Sequence, residues 1–198
     1  MADATSILSL CVSAVAVGIA VRSDRRSTRA DRDRQQDRAA HPALGVEIEP
    51  SNVKPDDDGV IRTENTTVNL TLAIKVANSG TKPATRTHVQ AWVPMFVDST
   101  TLKWTDPAGR ENDRWGLSAN DPAVRLDSGA GREFDTRRME RTLDVVPLVG
   151  ETIYLRVPCQ VPPRGGESMI PVRVRARTDG SEADETYPIR LLNTKPAP

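Results

Sequence analysis

The sequence predicts an all-β fold, two sheets packed as a sandwich, carried behind one N-terminal transmembrane helix and a charged helical stalk. Three observations predict it. A charge-free run occupies residues 4–21, an arginine-rich stretch without an apolar stripe fills 22–41, and after Pro42 the apolar residues recur with a period of two.

Behind a three-residue tail (1–3), the run from Ala4 to Val21 holds 18 residues without a charge. In helical form it spans about 27 Å, close to the ~30 Å hydrocarbon core of a bilayer. A cleavable signal peptide would need a basic segment ahead of the run, where only Asp3 and the α-amino group stand. A retained anchor is therefore expected, with the lipid bilayer as its partner. No Lys or Arg precedes the run, whereas seven Arg and four Asp fall within 22–38. The positive-inside rule then gives a single-pass chain in the cell membrane, N-terminus outside and C-terminal domain cytoplasmic. Ala14 and Gly18 make a small-xxx-small pair that would let two such helices approach closely. Small residues are also common in such segments for no pairwise reason, so the two readings stand side by side.

Residues 22–41 are polar all round. Arg29/Asp33, Asp31/Arg34 and Arg34/Asp37 would each support a solvated helix by a few tenths of a kcal/mol. The arginines would also sit well against anionic headgroups. Before Pro42, His41 is pushed out of the α region, which ends the stalk.

From 42 to 198 the alternation is that of strands. Leu44, Val46 and Ile48 open it, and Val68, Leu70, Leu72, Ile74 and Val76 share one side of the strongest strand. After an Asn78-Ser79-Gly80 turn come Thr87, Val89, Ala91 and Val93. Later faces are Ile153, Leu155, Val157; Ile170, Val172, Val174, Ala176; and Tyr187, Ile189, Leu191. Seven to nine short strands broken by Gly, Pro, Asn and Asp, with no βαβ spacing, argue for a sandwich. The segment 98–142 shows no clear period and reads as a long irregular insertion.

Two stretches, 75–94 and 161–178, carry a family resemblance. Val76, Asn78, Gly80, Pro83 and Ala84 form a strand ending V-x-N-x-G followed by a proline/alanine turn, and Pro163, Gly165 and Gly166 precede a second alternating strand. The pattern resembles bacterial immunoglobulin-like modules of the CARDB type and covers about half of the domain. It implies an immunoglobulin-like sandwich, in modules that usually face outward and serve adhesion or spacing. The charge bias of this chain points its domain inward instead.

Composition excludes more than it proposes. With 27 basic and 27 acidic residues the net charge is zero, so no overall field recruits nucleic acid. The two cysteines, Cys11 and Cys159, and two histidines, His41 and His88, offer neither a metal-ligand spacing nor a Cys-His pair. Asp56-Asp57-Asp58-Gly59 lacks the alternating spacing of a calcium loop and reads as an acidic turn. No catalytic residue, cofactor or metal is expected.

Two surfaces stand out as sites of contact. Arg173, Arg175 and Arg177 alternate on one strand face, with Arg190 on the neighbouring last strand, a stripe suited to phosphates or an acidic partner. The same pattern would arise on a solvated face balanced by carboxylates. Trp104 and Trp115 lie within 98–142, either as exposed contact residues or as plugs in the end of the sandwich. The function expected is a non-enzymatic, membrane-tethered interaction module that binds a protein or a second copy of itself. Alternatives are an exported adhesion or spacer module of the same fold and, more remotely, a hydrolase using carboxylates of 98–142.

Overall fold

The alternation is realised as ten strands among the described residues of a computed structural model, which describes residues 41–98, 102–106, 110, 118–127 and 132–195. The anchor, almost all of the stalk, the Ala14/Gly18 pair and Trp115 lie outside the described residues. Among the described residues no helix is long and apolar enough to cross a membrane.

One sheet has the order β1-β3-β8-β5, built from Leu44–Pro50, Thr67–Asn78, Glu151–Gln160 and Lys103–Thr105. The other has the order β2-β10-β9-β4-β7-β6, from Val60–Thr63, Ser181–Asn193, Glu167–Thr178, Ala84–Pro94, Glu133–Val146 and Ser118–Asp127. All pairings are antiparallel except β2 with β10. This is the strand order of an immunoglobulin sandwich, with four strands facing an extended second sheet. It departs from that plan in chain order, because β5, the edge strand of the four-stranded sheet, precedes β6 and β7, and the outermost strand β6 precedes β7, which lies beside β4.

The core lies between the sheets. Leu70, Leu72, Ile74 and Val76 of β3 and Ile153, Leu155 and Val157 of β8 meet Val89, Ala91, Val93, Val172, Val174, Ile189 and Leu191 from the other sheet. Each large side chain buried there contributes roughly 1.5–3 kcal/mol from removal of apolar surface from water.

The segment 98–142 differs from expectation. It is in large part strand, holding β5, β6 and most of β7. Its period was hidden because β7 pairs with β4 in a register that sets Arg137 opposite Val93 and Arg141 opposite Val89, both inward-facing positions of β4. Arg137 answers by donating from an Nη to the carbonyl of Val97 at 3.2 Å. Arg141 is half-buried, and burial lowers its pKa while Glu151 works in the opposite direction.

The V-x-N-x-G stretch has a physical role at one end of the sandwich. Asn78 is buried, and its Oδ1 accepts from the amides of Ala43 at 3.2 Å and Gly80 at 3.1 Å. Its Nδ2 donates to the carbonyls of Lys82 at 2.8 Å and Val146 at 3.4 Å. One side chain thus ties together the start of β1, the β3–β4 turn and the end of β7. Gly80 passes so close to this strap that a Cβ would lie 2.6 Å from Ala43 N and 2.8 Å from Pro42 Cα.

Candidate functional site

The arginine stripe lies where the alternation put it, on the outer face of β9, but its charge is already committed. The hairpin at Asp179-Gly180 pairs Asp184 with Arg175 and Glu182 with Arg177. Arg173 grips Asp184 with Nε at 2.8 Å and a second guanidinium nitrogen, and Arg175 reaches the same carboxylate at 3.0 Å. Glu182 lies 3.3 Å from Arg175 and 3.9 Å from Arg177. Partial burial works to raise the pKa of Asp184, but hydrogen bonds and charge from Arg173 and Arg175 outweigh it and hold the carboxyl below its usual range.

The stripe also roofs a tryptophan. Trp92 faces outward from β4, yet only 3% of it is exposed, because the guanidinium carbons of Arg173 and Arg175 stand 5.7 and 5.4 Å from its ring centre. Such cation–π contacts contribute about 0.5–1 kcal/mol at exposed sites. The indole donates to Asp121 at 3.0 Å, and Arg138 shares that carboxylate at 3.3 Å. Arg138 Nε lies 3.0 Å from Glu140, too far off line for a hydrogen bond. Four arginines (138, 173, 175, 177) therefore face four carboxylates (Asp121, Glu140, Glu182, Asp184) on one surface. The face is a neutral seal.

Arg190 does not join the stripe. It pairs with Glu167 at 2.8 Å and donates to the carbonyl of Asp58 at 3.0 Å, nearer the other end of the strands. Trp104 is a core residue, 1% exposed, whose indole crosses from β5 to donate to the carbonyl of Glu140 at 3.2 Å. Of the two readings this removes the exposed contact residue, and the ring fills the core at the side of the sandwich, under edge strand β5, and not at its end. Cys159 is wholly buried and its pKa is pushed up to about 12 by desolvation, so no thiolate forms there at neutral pH. His88 is exposed beside Thr142. Asp56 spends its carboxylate within its own turn, accepting from the amides of Val60 at 2.7 Å and Asp58 at 3.1 Å and from Arg62 at 2.7 Å. Among the described residues no group of His, Cys, Asp and Glu is placed to hold a metal ion.

What the sequence did not single out is a groove at the end of the sandwich away from His41. The chain's two phenylalanines meet there, Phe96 after β4 and Phe134 in β7, edge to face with ring centres 5.0 Å apart. Phe96 is 52% exposed. With Pro162, Met169 and Ile170 they line a groove of about 840 Å³, bordered by Arg132 and Arg190. Ser168 lines it too, and its Oγ is buried with no hydrogen-bond partner. A large apolar concavity with a few polar groups at its border is the usual form of a binding site. The available signal was the pairing of the two phenylalanines, which only the register of β4 on β7 brings together.

No family model matches the chain, and no curated protein matches it. Solved structures with some likeness include AggA, the major subunit of aggregative adherence fimbriae type I from Escherichia coli (13% identity, 75% of this chain and 94% of that one, TM-score 0.35). Another is ACE19, the collagen binding subdomain of the Enterococcus faecalis surface protein ACE (6% identity, 77% and 96%, TM-score 0.38). A third is AvmM, which catalyzes macrocyclization in alchivemycin A biosynthesis (11% identity, 77% and 91%, TM-score 0.36). At such scores these likenesses carry no argument about function, which in any case belongs to sites and not to folds.

Proposed function

We propose that this chain is a non-enzymatic interaction module, tethered to a membrane by residues 4–21, that binds a protein partner through the Phe96/Phe134 groove. The observation that carries the reading is the groove itself: exposed aromatic surface, bordered by arginines, at the end opposite the one where the chain arrives at His41. Aromatic anchors in such settings dominate protein contacts. The charge-free run and the seven arginines behind it support a tether with the domain on the cytoplasmic side. The CARDB-type resemblance at Val76, Asn78 and Gly80 supports the module's architecture and leaves its partner open.

A photoreactive phenylalanine analogue at position 96 of the full chain in its native membrane tests the groove. A discrete protein adduct is expected, absent from a probe at exposed Glu185 and lost on adding Met169→Asp. Equal adducts from 96 and 185, or none from 96, would overturn the groove as the site. A reporter fused after Pro198 reads the face of the membrane, with activity expected only in the cytoplasm.

A further inference from the structure

One wall of the groove is a strand edge. Strand β9 pairs with β10 from Glu167 to Thr178, but with β4 only from Arg173 to Arg177. Carrying the β4 register one turn of the pleat further would set Pro94 opposite Pro171, and neither has an N–H to give. β4 stays with β7 instead and ends in a turn, where Val97 donates to the Pro94 carbonyl at 3.0 Å. Among the described residues, β9 therefore has no strand beside it on its β4 side from 167 to 172.

The register also fixes which backbone groups face that side. In an antiparallel pair, residues that exchange hydrogen bonds alternate with residues that do not. Pro171 stands opposite Pro188 of β10, and two prolines cannot exchange bonds. One step beyond the ladder, Gly166 accepts from the Asn193 amide at 3.2 Å. The even-numbered residues of β9 thus bond to β10, and the N–H and C=O of Glu167 and Met169 point the other way, to the side of the groove. Among the described residues, no backbone bond outside the ladders reaches either of them.

Unpaired N–H and C=O groups two residues apart on a strand edge are matched by another extended backbone, more closely than by a helix or a compact ligand. We propose that the protein partner enters the groove as an extended segment and adds a strand to β9 along 167–170, about 13 Å of edge. This rests on the groove being a partner site and states how the partner is held. Met169 exchanges backbone hydrogen bonds with the segment, and apolar side chains of the segment meet Phe96 and Phe134. One side chain turns inward beside Ser168 and Ile170, where the buried Ser168 Oγ has no partner, so a Ser, Thr, Asn or Gln is expected at that place.

The test uses the full chain and two readouts. In residue-resolved hydrogen exchange of the free chain, the Met169 amide should exchange on the order of 100-fold faster than those of Ser168 and Ile170, which bond to β10. A Met169 amide as slow as its neighbours would show the edge already covered and would overturn the proposal, whether or not any variant folds. The second readout is the photoreactive analogue at position 96 in the native membrane. Met169→Pro removes the N–H that faces the groove and leaves the β10 ladder whole, as Pro171 does in the same strand; Met169→Leu keeps that N–H. The protein adduct should fall about tenfold in Met169→Pro and much less in Met169→Leu, with the buried tryptophans reporting a folded chain in both. Equal adducts from a folded Met169→Pro and from Met169→Leu would overturn strand addition and leave the groove standing. No adduct from 96 in the parent would overturn the groove and this inference together. An adduct with the mass of two copies of this chain would overturn a separate protein as the source of the strand.

Discussion

Replacing Asn78 by alanine should remove the knot at the His41 end. Three of its hydrogen bonds are well formed, at 2.8, 3.1 and 3.2 Å, and the fourth, to Val146 O, is long at 3.4 Å. At about 1 kcal/mol net for each good bond, Asn78→Ala should cost about 3 kcal/mol. For a domain of this size that corresponds to a fall in Tm of about 6–12 °C. The assay is thermal and urea unfolding of residues 41–198, followed through the buried Trp92 and Trp104. Since contacts are lost in the native state alone, the urea midpoint should fall with an unchanged slope. A loss below about 1 kcal/mol would refute the reasoning, since it would mean that water or the backbone replaces the side chain freely.

Gly80→Ala should destabilise the same fragment by about 1–3 kcal/mol, because its Cβ meets backbone atoms of the His41–Ala43 strap that cannot swing aside; equal urea midpoints for variant and parent would show that the strap gives way. Cys159 should resist an aromatic disulfide reagent at pH 8 in the folded fragment and react at once in urea, and fast native labelling would contradict its burial. Asp184 has a lowered pKa in the folded state, so its contribution is present above the unfolded value of about 3.9 and is lost as pH falls through the lower folded value. The stability gap between parent and Asp184→Asn should therefore shrink below about pH 4, and a gap unchanged down to pH 2 would refute the pairing.

How much of this was legible depended on whether a strand's inward face was filled with apolar residues. The strand with Val68, Leu70, Leu72, Ile74 and Val76 stood out because it is central, with the core on its inner face. The V-x-N-x-G stretch was visible too, though its purpose, an asparagine tying three backbone segments, needed the register of β1 and β7. Strand β7 was illegible because Arg137 and Arg141 fill inward positions, and β5 because three residues leave no period to read. The arginine stripe was placed on the correct face without its counter-charges. Those could have been found: Asp179-Gly180 is a strong two-residue hairpin signal, and counting outward from it sets Asp184 against Arg175. The groove left the faintest mark, since Phe96 and Phe134 are far apart in sequence and neither continues an alternation.

The chemistry of the molecule is unevenly spread, and that unevenness limits where recognition can occur. The broad outer face of the six-stranded sheet sets four arginines against four carboxylates over a covered tryptophan, so it offers a partner little unpaired charge and little apolar surface. Breaking Arg173 from Asp184 to bind an outside anion would give up its hydrogen bonds to that carboxylate and leave Arg175 alone to hold it, a loss that offsets part of the gain. Among the described residues, exposed large apolar side chains gather instead at the two ends: Phe96 with Met95 at one, and Leu148 and Val149 with Val145 at the other. The end with Val149 also receives the chain at His41, through a strap that Asn78 and Gly80 hold in one conformation. The Phe96/Phe134 groove lies at the opposite end of the sandwich from that strap, so the residues that fix the strap are separate from those that line the groove.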